Sequence, residues 1–229
     1  MRSVRSILVV LMLLSTNHLF SQTEVVTRDL ETWSSVSLDK KYSDQFSLNL
    51  EQSLRMYDNS TQIAQFFTNL DLKYSISDFV SLTGGVRYIR DRDKDDGIFE
   101  NRLRWNADLN VKHEVDRFTF KYRMRLQTRN ELGYSRSEGD FAINAFRLKA
   151  GTGYNIKGWK WDPEVSAEIF RESGRYILSS FNKYRFSLQT KYKINKWLDV
   201  KAFYRFEREL GVSYPLSSNI VGFNLMFNL

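Results

Sequence analysis

"FTFKYRMRLQTR", residues 118–129, alternates from one end to the other. Phe118, Phe120, Tyr122, Met124 and Leu126 share one parity, while Lys121, Arg123, Arg125 and Arg129 share the other. Successive side chains of a strand point to opposite faces, so this period describes a strand with one greasy face and one cationic face. Two settings accommodate it. A soluble sandwich would turn the cations out to water, and a barrel in lipid would turn them in.

The same period recurs along the chain. From Phe46, "FSLNLEQSLRMY" sets Phe46, Leu48, Leu50, Leu54 and Met56 against Ser47, Asn49, Glu51, Ser53 and Arg55. "FFTNLDLKYSI" (66–76), "RLRWNADLNVK" (102–112), "YRFSLQTKY" (184–192) and "VGFNLMFNL" (221–229) repeat the pattern. No helical period is sustained after residue 21. The connections also alternate. "SD" (77–78), "HEVDR" (113–117) and "NKW" (195–197) are short, whereas "DRDKDDGIFE" (91–100), "NELGYSRSEGD" (130–140) and "RELGVSYPLSS" (208–218) are longer and more polar. Short turns at one end and long loops at the other are the layout of an outer-membrane barrel, and strands of about 9–11 residues suffice to cross tilted.

Composition narrows the choice. Mean hydropathy is −0.45, and no later window is apolar enough for a spanning helix. A barrel escapes that test because alternation dilutes its apolar residues. Aromatics reach 15%, above what a sandwich interior built from Val, Ile and Leu needs. Trp105, Tyr74, Tyr88, Tyr122, Tyr154, Tyr184, Tyr192 and Tyr204 all fall on the apolar parity, as interfacial girdles require. Zero cysteines exclude a disulfide scaffold, a thiolate metal site and a lipid-anchored lipoprotein.

Residues 1–21 read as a secretory leader: Arg2 and Arg5 precede the apolar run Ile7–Leu14, with cleavage expected near Ser21. Export argues that the net charge of +7 does not serve nucleic acid. The mature chain, 22–229, is expected to be a single all-β domain, an antiparallel transmembrane β-barrel of the outer membrane. Periplasmic turns are short and extracellular loops longer. Eleven strands are legible, the first at 32–38. An even number favours twelve, with 23–29 supplying the extra one, and ten is the other possibility. The last strand, ending on Leu229, resembles the assembly signal of outer-membrane proteins, which implies the barrel assembly machinery as a partner. Lipid and lipopolysaccharide would surround the barrel.

Hairpin register can be read by centring the turns, since paired residues share a face. Val111 is then expected opposite Phe120, Asp108 opposite Arg123, Tyr192 opposite Leu198, and Lys149 opposite Glu168.

"ENRLRWNADLNVKHEVDRFTFKYRMRLQTR" (100–129) resembles a feature of the domain of unknown function 2490 family, in a Glu-x-Arg strand, a basic residue near the turn and an Arg-x-Arg-x-x-x-Arg strand. Glu100, Arg102, His113, Arg123, Arg125 and Arg129 carry the likeness. "TWSSVSLDKKYSDQFSLNLEQSLR" (32–55) resembles the family's opening hairpin. The resemblance implies an exported barrel-like protein of gram-negative bacteria and brings no activity.

Chemistry of the catalytic kind is not legible. The mature chain has one histidine, His113, read as a turn residue without a partner, and no cofactor or metal is expected. The inward basic residues are the functional lead. Arg87, Arg102, Arg104, Arg123, Arg125 and Arg129 form a basic lumen wall on three consecutive strands, with Asp108 nearby and Glu164 and Glu168 farther round. A transverse field across a water-filled lumen would favour small anionic solutes through a narrow porin-like channel. The other reading is a non-conducting structural or binding barrel that acts through loops 91–100 and 130–140. Inward Phe67, Phe170 and Phe203 point to some plugging.

Overall fold

The computed structural model describes residues 26–93, 96–134, 142–174 and 177–229. The leader expected at 1–21 and most of loop 130–140 lie outside them. Eleven strands follow in order: β1 (Thr27–Lys41), β2 (Phe46–Tyr57), β3 (Gln62–Ser75), β4 (Val80–Arg92), β5 (Phe99–Val115), β6 (Phe118–Glu131), β7 (Ile143–Tyr154), β8 (Asp162–Gly174), β9 (Ile177–Lys193), β10 (Leu198–Glu209) and β11 (Leu216–Asn228). Each pairs with its sequence neighbours, and β11 returns to β1 to close a barrel.

Eleven lies inside the expected range of ten to twelve. A twelfth strand does not form among the described residues, because residues 27–29 of the "TEVVTRD" segment lengthen β1 instead. An odd number of alternating strands leaves the first and last running the same way. The closing seam is therefore parallel, from Thr27 opposite Leu216 to Asp39 opposite Asn228, and the other ten are antiparallel.

The strands run longer than a bilayer crossing requires. β5 and β9 have 17 residues each. The extra ladder comes out of the expected connections. His113 belongs to β5, not to a turn, and the β5–β6 hairpin turns on Asp116 and Arg117 alone. Asp116 takes φ 52°, a left-handed conformation that Asp tolerates better than most residues. The β2–β3 connection is a tight turn in which Asp58, Asn59 and Ser60 all have positive φ. The Asp29 carboxylate on β1 accepts the N–H groups of Asp58 (3.1 Å) and Asn59 (2.8 Å) and holds that turn. At the other end, Lys41 bonds Asp44 at 2.7 Å, and this hydrogen bond and charge lower the Asp44 pKa.

Register agrees with expectation at β7–β8, where Leu148 meets Ile169 and Lys149 meets Glu168. Two hairpins differ by two residues. Val111 faces Tyr122 and Asp108 faces Arg125, while Tyr192 faces Val200. The turns are centred one residue later than the sequence suggests. In the second, the Asn195 side chain accepts the Trp197 and Leu198 N–H groups and sets that centre. A shift of two leaves every side chain on its original face, so inside and outside are unaffected.

The two faces are now distinct. Leu126 is 57% exposed, Trp105 55%, Phe186 55% and Leu188 52%, all pointing out. Trp33, Phe67, Ile89, Phe170 and Ile220 are buried and point in. A continuous apolar exterior on a closed sheet is what hydrocarbon covers. His113 sits on this outer face near the short-turn end, stacked at 5.0 Å on Phe120 and 5.9 Å on Tyr122, as part of the aromatic girdle.

Charge on that face should be costly. Leu126→Arg, near the middle of β6, is expected to lower folding stability in lipid vesicles by about 2–4 kcal/mol. Reversible denaturant unfolding followed by tryptophan fluorescence measures it; a loss well under 1 kcal/mol would mean this face does not meet acyl chains.

Candidate functional site: the arginine-lined interior

The inward parity of every strand delivers its residues to one shared space. Arg87 comes from β4, Arg102, Arg104 and Asp108 from β5, Arg123, Arg125 and Arg129 from β6, and Glu164 and Glu168 from β8. All nine face inward. The ladder brings Arg87, Arg104 and Arg129 into one row across three strands.

The carboxylates do not stand as a wall opposite the cations. They are bonded to them. Asp108 takes Arg125 in a two-pronged fork, with Nε and Nη2 each 2.6 Å from a carboxylate oxygen. Glu168, 5% exposed, accepts Arg123 Nη2 at 2.7 Å and Arg147 Nη2 at 2.8 Å, with Arg185 at 3.6 Å. Lys121 pairs with Glu164. Arg102 lies between Asp91 (2.6 Å), at the end of β4, and Glu100, at the start of β5. Charge-assisted forks of this kind are the strong hydrogen bonds of a low-dielectric interior.

Several interior residues that matter were not singled out from the sequence: Trp33, Arg55, Arg147, Arg185, Lys201 and Arg205. The signal was present, because the parity rule that selects Arg123 also selects Arg147 between Phe146 and Leu148. What the sequence lacks is which strands face one another across the lumen.

That geometry is set by stacked rings and guanidinium groups. Arg147 lies 4.4 Å from the Phe170 ring, and Arg185 5.0 Å from it and 5.3 Å from Trp33. Arg55 stacks on Trp33 at 3.7 Å and reaches Phe67 at 4.9 Å, and Arg87 stacks on Phe67 at 3.7 Å. The belt joins β7, β8, β9, β1, β2, β3 and β4. Arg205 and Phe203 of β10 complete it, with the Arg205 guanidinium 3.9 Å from Phe203 and 5.1 Å from Trp33. Phe203 fits there because its partner on β11 is Gly222, where a Cβ would lie 2.5 Å from the ring. A guanidinium is weakly hydrated and planar, so it stacks flat on rings more readily than an ammonium does. The belt's rings Trp33, Phe67 and Phe170 sit in the halves of their strands nearer the long connections.

The packing opens at the level of the belt and from there towards the short turns. A cavity of about 340 Å³ is lined by ten basic side chains and three acidic ones, so its walls are strongly cationic. A second cavity of about 570 Å³ lies at the short-turn end, lined by Lys73, Thr83, Asn110, Lys121 and Glu164. Arg123 and Lys149 border both.

Residues 30–213 match the family described as protein of unknown function (DUF2490). The chain belongs to this family. No curated protein matches its sequence. Among solved structures it is similar to the β domain of the Bordetella autotransporter BrkA, at 12% identity over 76% of this chain and 80% of that one, with a TM-score of 0.50. It also matches OmpT, an outer membrane protein of Vibrio cholerae, at 11% identity over 74% of this chain and 52% of that one, with a TM-score of 0.43. At such identities the likeness to BrkA concerns the fold alone. This DUF2490 member is a β-barrel of the outer-membrane type.

Glu168 holds the interior of the DUF2490 barrel together. Removing it leaves Arg123, Arg147 and Arg185 crowded and short of a counter-charge. Glu168→Ala is expected to cost about 3–5 kcal/mol, the penalty for breaking a buried ion pair. Urea unfolding in lipid vesicles measures the loss, and a cost below 1 kcal/mol would show that the cluster is solvated.

Proposed function

We propose that this protein is an exported outer-membrane barrel that does not conduct ions at rest. Its leader, residues 1–21, is removed near Ser21, and its last strand engages the barrel assembly machinery. The observation that carries the reading is the belt of alternating rings and guanidinium groups from Arg147 to Arg87, with Trp33, Phe67 and Phe170 at most 6% exposed. A diffusion channel needs a continuous wet path with fixed charges facing it. Here most of the inward arginines near the belt are stacked on rings or bonded to carboxylates. Such a barrel acts as a scaffold or a binding body in the membrane, and not as an enzyme.

Purified, correctly folded protein in a planar bilayer is therefore expected to be silent. The double variant Trp33→Ala with Phe67→Ala removes two rings of the belt and is expected to give ion-selective current steps. Steady conductance from the unaltered protein would overturn the reading.

A further inference from the structure

The interior cavity has more positive charge than its own carboxylates neutralise. Of the three acids in its lining, Glu168 serves Arg123, Arg147 and Arg185, Glu51 reaches Arg87 at 3.8 Å, and Asp71 is the third; Asp108 and Glu207, outside the lining, engage Arg125 and Arg185. No carboxylate among the described residues is in ion-pair contact with the cavity-lining Arg55, Arg104, Lys149, Lys201 or Arg205. Arg104 is the sharpest case. It is 8% exposed, sits in the ladder between Arg87 and Arg129, and its Nε and Nη2 have no hydrogen-bond partner. The Nε atoms of Arg55 and Arg123 are buried without partners as well.

Buried donors without acceptors are costly, and like charges directly opposite on a ladder repel. A fold that gathers both around one cavity has left room for a counter-charge that the chain does not supply. Solvent could hydrate such groups, but water brings no charge. Chloride brings one charge and no fork-shaped pair of acceptors. Oxygen pairs on phosphorus match the guanidinium fork two by two. The cavity, at about 340 Å³, is larger than a single inorganic phosphate requires.

We infer that this cavity is a binding site for a small multivalent oxyanion bearing phosphate groups, of the size of pyrophosphate or a compact phosphorylated metabolite. Arg104, Arg205 and Arg55 are its principal donors, and Lys149 and Lys201 its ammonium contacts. The belt's rings Trp33 and Phe67 line the cavity and narrow the lumen there, and the short-turn cavity joins it at Arg123 and Lys149, so the ligand enters past Lys121, Arg123 and Lys149 from the short-turn side. That route rests on the closed-barrel reading above. The binding itself does not.

The test uses the full mature barrel folded in detergent micelles, with inorganic pyrophosphate as the probe and isothermal titration calorimetry as the readout. Pyrophosphate should bind at one site per barrel and raise the unfolding temperature, with chloride competing only at high concentration. Arg104→Gln with Arg205→Gln should weaken binding by about tenfold or more, since each variant removes charge-assisted hydrogen bonds to the anion. Lys157→Gln, in the exposed β7–β8 turn, should leave it unchanged. If the double variant does not show the heat-sensitive gel mobility of a folded barrel, Lys201→Gln alone is titrated, with a weakening of severalfold expected. No binding by folded protein would overturn the inference, as would equal affinity in the cavity variants or equal loss in Lys157→Gln, which indicates surface attraction. A barrel that conducts yet binds pyrophosphate in this manner would sink only the closed-barrel reading.

Discussion

The hydrogen-bond ladder between β1 and β11 is the constraint on which the molecule depends. In hydrocarbon each unpaired peptide group costs several kcal/mol, so a sheet with two free edges is not admissible. Thirteen paired positions, from Thr27–Leu216 to Asp39–Asn228, remove both edges at once. The seam is parallel because the strand number is odd. Once it is made, the sheet has an inside and an outside, and the two parities of each strand acquire different solvents.

The inside then becomes the difficult side. Each strand must turn polar or charged groups into a narrow space that cannot hydrate all of them. Arginine suits this better than lysine, since its guanidinium can lie on a ring and still fork onto a carboxylate. The belt uses the first property at Trp33, Phe67 and Phe170, and Asp108 and Glu168 use the second. Buried ion pairs of this kind contribute little net stability against well-packed apolar residues, because desolvation offsets the attraction. What they supply is position: every arginine has a specific place. The glycine at 222 is part of the same arrangement, giving Phe203 a surface of bare backbone to rest on.

The cavity at the level of the belt is different in kind. Its Arg55, Arg104, Lys149, Lys201 and Arg205 have no ion-pair partner among the described residues, and the packing there leaves space. A stable structural plug would have no use for Arg104 between two other arginines with donors unmet. Arg55 and Arg205 belong to both belt and cavity, stacked on rings yet without a carboxylate partner among the described residues, so the level of the lumen that the rings narrow is also the level that can hold something.

The alternation in "FTFKYRMRLQTR" determined by itself that these residues form a strand and which of them share a face, because the strand period is two whatever surrounds it. The same rule placed Arg87, Arg102, Arg104, Arg123, Arg125 and Arg129 on the inner face and put Trp105, Tyr122 and Tyr204 outside. Parity also survived the two hairpins whose turns are centred differently, since a two-residue shift restores the same face. Only the tertiary structure decided the strand number, the parallel seam, and the partners across the lumen. Arg185 meets Glu168 as its direct partner on the β8–β9 ladder, whereas Arg123 reaches Glu168 from β6, two strands away, because barrel curvature carries side chains toward one axis. Trp33 meets Arg185 for the same reason. Local periodicity contains no term for curvature, so those contacts exist only once the sheet has closed.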